Sequence, residues 1–533
     1  MQPAPLPVSL KAWHLLLGLG LLRLLFLPFF CSIYDLAGDE SYYWDWGRRP
    51  DWGYYSKPPM IGWLMGVTGA LTGNSEWGIR LAALAVGTVS LALLYQLAKQ
   101  LFNATAGVLA LALAALTPAN VGLNLFFTID APLILFWTGA LLAFWRASQE
   151  PGRAWGWVVL AIAMGLGHLS KQMMLLFPVL MASYAMLTPA AGSLLKRPGF
   201  WMSIAGSYCL FLPVLWWNHH HQWITVEHTK HHFGAAADIT LSDRAGDFFA
   251  FAGSQAALFT PITWLGLLTV AGTGLWQWKR LDHRGRFLIV FSAPALIVFH
   301  LLALRQSVNP NWPAVFYLPG MVLLAAAWAG QAPGLQLAAR FQRLARPALG
   351  VAAVFTVLSY ALPLGLWAAS RSGEKALDPM TRLYGWQDAG RQAGTFLDQS
   401  PRPKDTVLLA LGHRENASQF AFYTPQQPRA YRWQADGTIA SQYEIWPSAG
   451  EAVGKDFLIL QPTESDVPRS LAKQFTSVKK VGEIEVPLGK TGARKWQVFL
   501  GTSLQRWSLP GPGRHSQGGE SKRHSPGASP SSS

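Results

Sequence analysis

Asp39 and Glu40 stand side by side behind an apolar run, in the stretch "DLAGDESYYWDWGRRPDWGYYSKPPMIGWL" (residues 35–64). Tyr42, Tyr43, Trp44 and Trp46 follow them closely, so the acids sit in surroundings of lowered polarity. Poor solvation raises the proton affinity of a carboxylate and suits it to general-base work. Later in the same stretch Lys57 precedes Pro58 and Pro59. A lysine ammonium is a compact point charge that suits phosphate, and the prolines stiffen the turn that carries it. Each feature has an ordinary alternative: solvated loop acids, an aromatic belt at a membrane surface, and a lysine that snorkels. Asp45 and Asp51 read as such loop charges.

Asp130 is a second acid out of place, at the head of the apolar run in "FFTIDAPLILFW" (126–137). An ionisable group there is unfavourable in lipid and points to function; helix capping is the competing explanation. His168 and Lys171 follow in "GLGHLSKQ" (165–172). His219, His220, His221, His228, His231 and His232 crowd one further segment. Three readings stay open for it: substrate contact, a polar loop, or a divalent metal site. Zinc would want three or four converging ligands, and neither a Cys nor an HExxH motif accompanies these histidines.

The elements that must hold these residues are membrane helices. The chain has 533 residues, of which 51% are hydrophobic and only 13% charged. Soluble domains carry about 25% charged residues. Apolar runs near 12–33, 78–100, 104–119, 125–145, 155–170, 173–189, 199–217, 247–277, 286–304, 313–331 and 346–369 predict about eleven spans. The run 247–277 is long enough to hold a surface helix before its span.

Lys and Arg fall on alternate connections, among them Lys99, Arg146, Lys196, Arg197, Arg280 and Arg340. The positive-inside rule puts those connections in the cytoplasm. Loops 34–77 and 218–245 are then extracytoplasmic, and the net charge of +15 reflects this one-sidedness rather than nucleic-acid binding. The predicted fold is mainly α, a polytopic helix bundle over 1–370 with a small extracytoplasmic α/β domain over 371–507. Within that domain, "TVLLAL" and "DFLIL" read as strands and Asn416–Phe422 as a helix. A Gly/Ser/Pro/His-rich tail, 508–533, is expected to be disordered.

The opening loop resembles the first extracytoplasmic loop of glycosyltransferase family 39 proteins, of the GT-C class. That group includes polyprenyl-phosphate-mannose protein mannosyltransferases and relatives of the lipid A aminoarabinose transferase. Further matching stretches come in order: "FFTIDAPLILFW", "GLGHLSKQ", "LPVLWWNHHHQW" (212–223), "NPNWPAVFYLPG" (309–320), and "SQFAFYTPQQP" and "SQYEIW" in the C-terminal domain.

The resemblance implies an inner-membrane glycosyltransferase using a polyprenyl-phosphate sugar donor, with inversion, on a lipid, glycan or protein acceptor outside the cytoplasm. It assigns catalysis to Asp39 with Glu40, and the lipid phosphate to Lys57. Substrate contacts would come from Tyr43, Tyr55, Asp130, His168, Lys171, His221, Arg305 and Asn311. It requires no nucleotide cofactor, and no phosphate-binding glycine loop is present.

Aminoarabinose transferases place Glu before the loop lysine, whereas this chain has Ser56. Their particular activity is therefore not implied. Two rival readings are a transporter or lipid flippase coupled through Asp130 and Lys171, and a non-catalytic lipid-binding member. Transporters favour midplane sites and repeated halves. Here the densest polar cluster lies at one surface, and no repeat is visible.

Overall fold

The computed structural model describes residues 12–231, 240–372, 380–434, 436–462, 465–488 and 492–508. His232 and the tail beyond Ser508, expected to be disordered, lie outside these residues. The chain forms two compact units: Met1–Asp388 with Val486–Arg494, and Ala389–Glu485 with Lys495–Ser533. The first unit thus takes in chain beyond the expected boundary at 370.

The first unit is helical. In chain order it holds α1 (Ala12–Ile33), α2 (Gly38–Gly47), α3 (Met60–Thr72), α4 (Glu76–Leu101), α5 (Ala104–Ala115) and α6 (Pro118–Leu125). Next come α7 (Asp130–Gln149), α8 (Ala154–His168), α9 (Leu176–Leu187), α10 (Pro198–His220) and α11 (Ile224–His231). The remainder are α12 (Leu241–Phe259), α13 (Pro261–Trp276), α14 (His283–Val290), α15 (Ala293–Ala303), α16 (Ala314–Trp328), α17 (Ala339–Gln342) and α18 (Ala345–Ser372).

Among the described residues, six helical segments are long and apolar enough to cross a bilayer singly, and three bent pairs raise the number to as many as nine. Of three shorter apolar helices among the described residues, α8 and α16 occupy the runs at 155–170 and 313–331. Several runs are broken where the sequence reads as continuous. α5 and α6 meet at 70°, and α12 and α13 at 108°. Thr117 caps α6 by accepting from the Asn120 amide, with Pro118 at the first helical position, so a new helix starts there. Arg23 of α1 is buried and steadies this corner, donating to Ala115 O at 3.0 Å and Asn120 Oδ1 at 2.8 Å.

The segment 34–77 is not an open loop. α2 and α3 pack so closely that a Cβ on Gly47 would come within 2.5 Å of the Gly66 nitrogen. Trp46 of α2 stacks on Tyr54 at 4.3 Å. Asp45 is fully buried and paired with Arg48 at 2.7 Å, with Arg49 at 3.7 Å. It is a packed ion pair, not the solvated charge its surroundings in the sequence suggested.

The second unit is built on a five-stranded sheet of order β2-β1-β3-β5-β4. The strands are β1 (Thr406–Leu411), β2 (Ala430–Trp433), β3 (Asp456–Gln461), β4 (Phe475–Pro487) and β5 (Ala493–Leu504). β1 pairs in parallel with β2 and β3, and β3 pairs antiparallel with β5. The predicted strand runs are β1 and β3, and the predicted helix is Arg414–Tyr423. One face buries Leu409, Phe457, Ile459, Phe475 and Phe499. Arg402 pairs with the buried Asp456 at the head of β3.

Candidate active site

The opening of α2 carries the acid pair and is anchored through Glu40. Glu40 is fully buried. Its Oε2 accepts from the Ala37 amide at 3.0 Å, closing the helix start, and its Oε1 accepts from the Phe127 amide at 2.9 Å. Burial pushes this carboxyl above its ordinary range, opposed by the Arg80 guanidinium and those two amides. With both oxygens held by backbone, Glu40 fastens α2 to the chain entering α7. Asp39, by contrast, is exposed in the first turn of α2.

Three residues beyond Phe127, Asp130 opens α7. The position before it is Ile129, and no side chain caps this helix, which removes capping as the reason for the acid. Instead Asp130 Oδ1 accepts from Lys171 Nζ at 2.7 Å and Oδ2 from Asn311 Nδ2 at 2.6 Å. Asp130 and Lys171 are both buried. A negative first-turn residue is also favoured by the α7 dipole. Asp130 and Asn311 border a cavity of about 290 Å³, whose walls include Thr128, Ile134, Phe126 and Leu318.

The lysine loop joins the same neighbourhood. Tyr54 and Lys57 exchange backbone hydrogen bonds at 3.1 and 3.3 Å, closing a tight turn before the prolines. The Met60 amide donates to Leu169 O at 2.9 Å, and Gln172 Nε2 reaches Ser56 O at 3.4 Å. The segment that presents Lys171 to Asp130 therefore also braces the turn of Lys57.

Asp51 is not a loop charge either. It accepts from Trp217 Nε1 at 2.8 Å and from the Trp52 amide at 2.7 Å. Gly53 lets the Trp217 ring lie against the backbone, since a Cβ there would sit 2.6 Å from it. Thr225 Oγ1 of α11 donates to Tyr54 O at 2.9 Å, and the His228 ring lies 4.7 Å from Tyr55. The ends of α10 and α11 thus hold the loop by groups that its own composition does not reveal.

Other expected residues fall elsewhere. His168 is fully buried between α8 and α10, its Nδ1 3.4 Å from Ser207 O and its ring stacked on Tyr208. It is not on a cavity-facing loop. Tyr43 is buried against Trp46 inside the α2 cluster. His221 closes α10, with Nδ1 on Trp217 O at 2.8 Å and its ring stacked on Trp217. Arg305 is exposed beyond α15 and makes no hydrogen bond or ion pair with the cluster. Among the described residues, no three His, Cys, Asp or Glu side chains converge to hold a metal.

Residues 56–217 match the model of the dolichyl-phosphate-mannose-protein mannosyltransferase family. The lipid A galacturonosyltransferase RgtD of Rhizobium johnstonii is 28% identical over 440 residues, covering 81% of this chain and 86% of that protein. An undecaprenyl phosphate-alpha-4-amino-4-deoxy-L-arabinose arabinosyl transferase of Erwinia tasmaniensis is 24% identical, over 59% of this chain and 57% of its own length. The structure of ArnT from Cupriavidus metallidurans bound to undecaprenyl phosphate superposes with a TM-score of 0.63 at 15% identity, covering 92% of this chain and 98% of ArnT. The chain is a membrane glycosyltransferase, similar in sequence to RgtD and in fold to ArnT. That sets the transporter reading aside.

Behind the acid pair, the glycosyltransferase holds the entry to α2 with a clasp that sequence reasoning missed. Arg80 donates to Tyr34 O at 2.9 Å and Asp35 O at 2.8 Å. The Asp35 amide donates to Leu383 O at 2.8 Å, and its carboxylate accepts from the Trp386 amide at 2.6 Å. Burial pushes the Asp35 carboxyl from 3.8 up to about 6, against the pull of the Trp386 and Gln387 amides.

An acid whose folded pKa lies above its unfolded one binds its proton more tightly when folded. Its contribution to stability is therefore greatest at low pH and falls as pH rises from about 4 to about 6. In thermal-shift measurements, Asp35→Asn should lack this fall while keeping a carbonyl for the Trp386 amide. The gain at pH 7 is on the order of 1–3 kcal/mol. An unchanged pH profile would show that Asp35 titrates normally.

Proposed function

We propose that this enzyme transfers a sugar from a polyprenyl-phosphate donor to a lipid, glycan or protein acceptor on the extracytoplasmic side of the inner membrane. The observation that carries the reading is the convergence of Asp130, Lys171 and Asn311, from three distant segments, next to the braced Lys57 turn. Similarity to the undecaprenyl phosphate arabinosyl transferase supports the donor class, and similarity to the lipid A galacturonosyltransferase supports a lipid among the acceptors.

In this reading a membrane-bound donor enters laterally, and Lys57 meets its phosphate. Asp39 takes the proton of the acceptor hydroxyl, whose oxygen attacks the anomeric carbon from the face opposite the phosphate. The bond from that carbon to the phosphate oxygen breaks, its electron pair leaves with the polyprenyl phosphate, and configuration inverts. Positive charge held at the departing phosphate lowers the barrier because it is strongest where charge develops. Lys171 spends one of its three N–H donors on Asp130 and has two more to offer the sugar or phosphate. Glu40 is a positioning residue that keeps Asp39 beside the entry to α7. If the acceptor is itself a phosphate, no proton need move and Asp39 orients it.

The test is mass spectrometry of envelope lipids and glycoproteins with and without the gene, together with donor binding to the purified chain. Loss of no glycoconjugate, with no binding of undecaprenyl phosphate, would refute the reading. Lys57→Ala should weaken binding of undecaprenyl phosphate about ten- to a hundredfold, the scale of a charge-assisted hydrogen bond. Thermal stability should barely change; unaltered affinity would make Lys57 a snorkelling side chain. For topology, cysteines placed at 39 and 400 should react with an impermeant reagent in intact cells, and one at 197 should not. The reverse pattern would invert the orientation.

A further inference from the structure

Next to the clasp lies a second cavity, of about 550 Å³, within the first unit. Its lining includes Ser32, Asp35, Trp367, Tyr384, Gln387 and Asp388. This volume falls in the range of ligand pockets, about 300–1,000 Å³. Its chemistry differs from that of the Asp130 cavity, whose walls are mainly aliphatic. Here two large aromatic side chains share a space with a primary amide, carboxylates and a hydroxyl.

That combination fits a sugar ring. One face of a pyranose is a patch of C–H groups, which an aromatic side chain covers well. Its edge is a row of hydroxyls that both donate and accept, matched by Gln387, which does both, and by Asp388, which accepts. The aromatic wall is fixed in place: Tyr384 is stacked on Tyr34 at 5.2 Å, and the backbone before it is tied to Asp35. Asp35, on the cavity wall, is four residues from Asp39. A chain of that length spans at most about 14 Å, so a ligand here lies within reach of the acid.

We propose that this cavity is the acceptor site and that it takes a sugar bearing the attacking hydroxyl. The inference rests on the transfer reaction given above and adds the acceptor class to it. The sugar can be the headgroup of a lipid or part of a soluble glycan, since both present the same ring.

Binding of two probes to the purified full chain, a soluble glucosamine disaccharide and the same disaccharide acylated, tests this, with undecaprenyl phosphate measured in parallel. Trp367→Ala and Gln387→Ala should each weaken disaccharide binding about tenfold or more, equal to about 1.4 kcal/mol. Both should leave undecaprenyl phosphate affinity unchanged, and Trp367→Phe should restore most of the sugar affinity, separating lost contact from misfolding. Tighter binding of the acylated probe with the same Trp367 dependence assigns the site to a lipid headgroup; equal binding assigns it to a glycan.

Disaccharide binding that ignores both substitutions overturns the inference. So does binding of undecaprenyl phosphate with no sugar bound, which leaves the transfer reaction standing. Displacement by a peptide but not by sugar would overturn it in favour of a protein acceptor. Trp367-dependent sugar binding without undecaprenyl phosphate binding would refute the donor instead and keep the cavity.

Discussion

Asp39→Asn is expected to reduce turnover on a hydroxyl acceptor by about 10²–10⁴-fold, the usual effect of losing a general base. Asn keeps the shape and a hydrogen-bond acceptor but cannot take a proton. Asp39 is exposed in the first turn of α2, so the swap should disturb little packing. The fastening of that turn belongs to Glu40 and its two amide donors, which the substitution leaves alone. Undecaprenyl phosphate affinity and thermal stability should therefore survive. A purified Asp39→Asn enzyme with most of its turnover would remove Asp39 from the mechanism and move the base elsewhere. Asp45→Asn makes an instructive contrast. The buried Asp45–Arg48 pair predicts a loss of stability there, where the sequence had suggested an ordinary loop charge.

The helical bundle was legible because lipid allows few alternatives: apolar runs of span length must satisfy their backbone internally. What the runs could not reveal was where they break. Thr117 looks unremarkable in an apolar sequence, and the corner between its flanking helices is held by Arg23, far away in the chain. α3 went unread because its 13 residues fall short of a span and follow a polar, aromatic segment.

The site divided in a similar way. Asp130 was conspicuous because an acid heading an apolar run needs a partner, but its partner Asn311 lies 181 residues away. His168 and Lys171 gave the same signal, two polar residues closing one run, and the structure separates them. His168 still belongs to α8 and turns toward α10, whereas Lys171 has left the helix for extended backbone and reaches Asp130. Asp51 was misread because its partner Trp217 comes from the end of another helix.

Breaking the Asp130–Lys171 pair should cost much stability. Both groups are buried, so removing one leaves the other desolvated without its counterion. Lys171→Met should cost about 3–5 kcal/mol, as breaking buried ion pairs does, leaving Asp130 with only the neutral Asn311 donor. Asp130→Asn should cost about as much, since the ammonium then loses its carboxylate. The double variant Asp130→Asn with Lys171→Met removes both charges together and should recover most of that loss, because a buried pair replaced by neutral groups is often neutral or better.

Stability and activity should then part company. A purely architectural pair predicts that the recovered double variant regains turnover along with its melting temperature. A pair that meets the donor predicts a stable enzyme whose affinity for the polyprenyl-phosphate sugar stays low, because no ammonium remains to face it. Melting temperatures, donor affinity and turnover measured across this four-member cycle separate the two roles. Full activity in the stable double variant would leave Lys57 as the cation on which the donor phosphate depends.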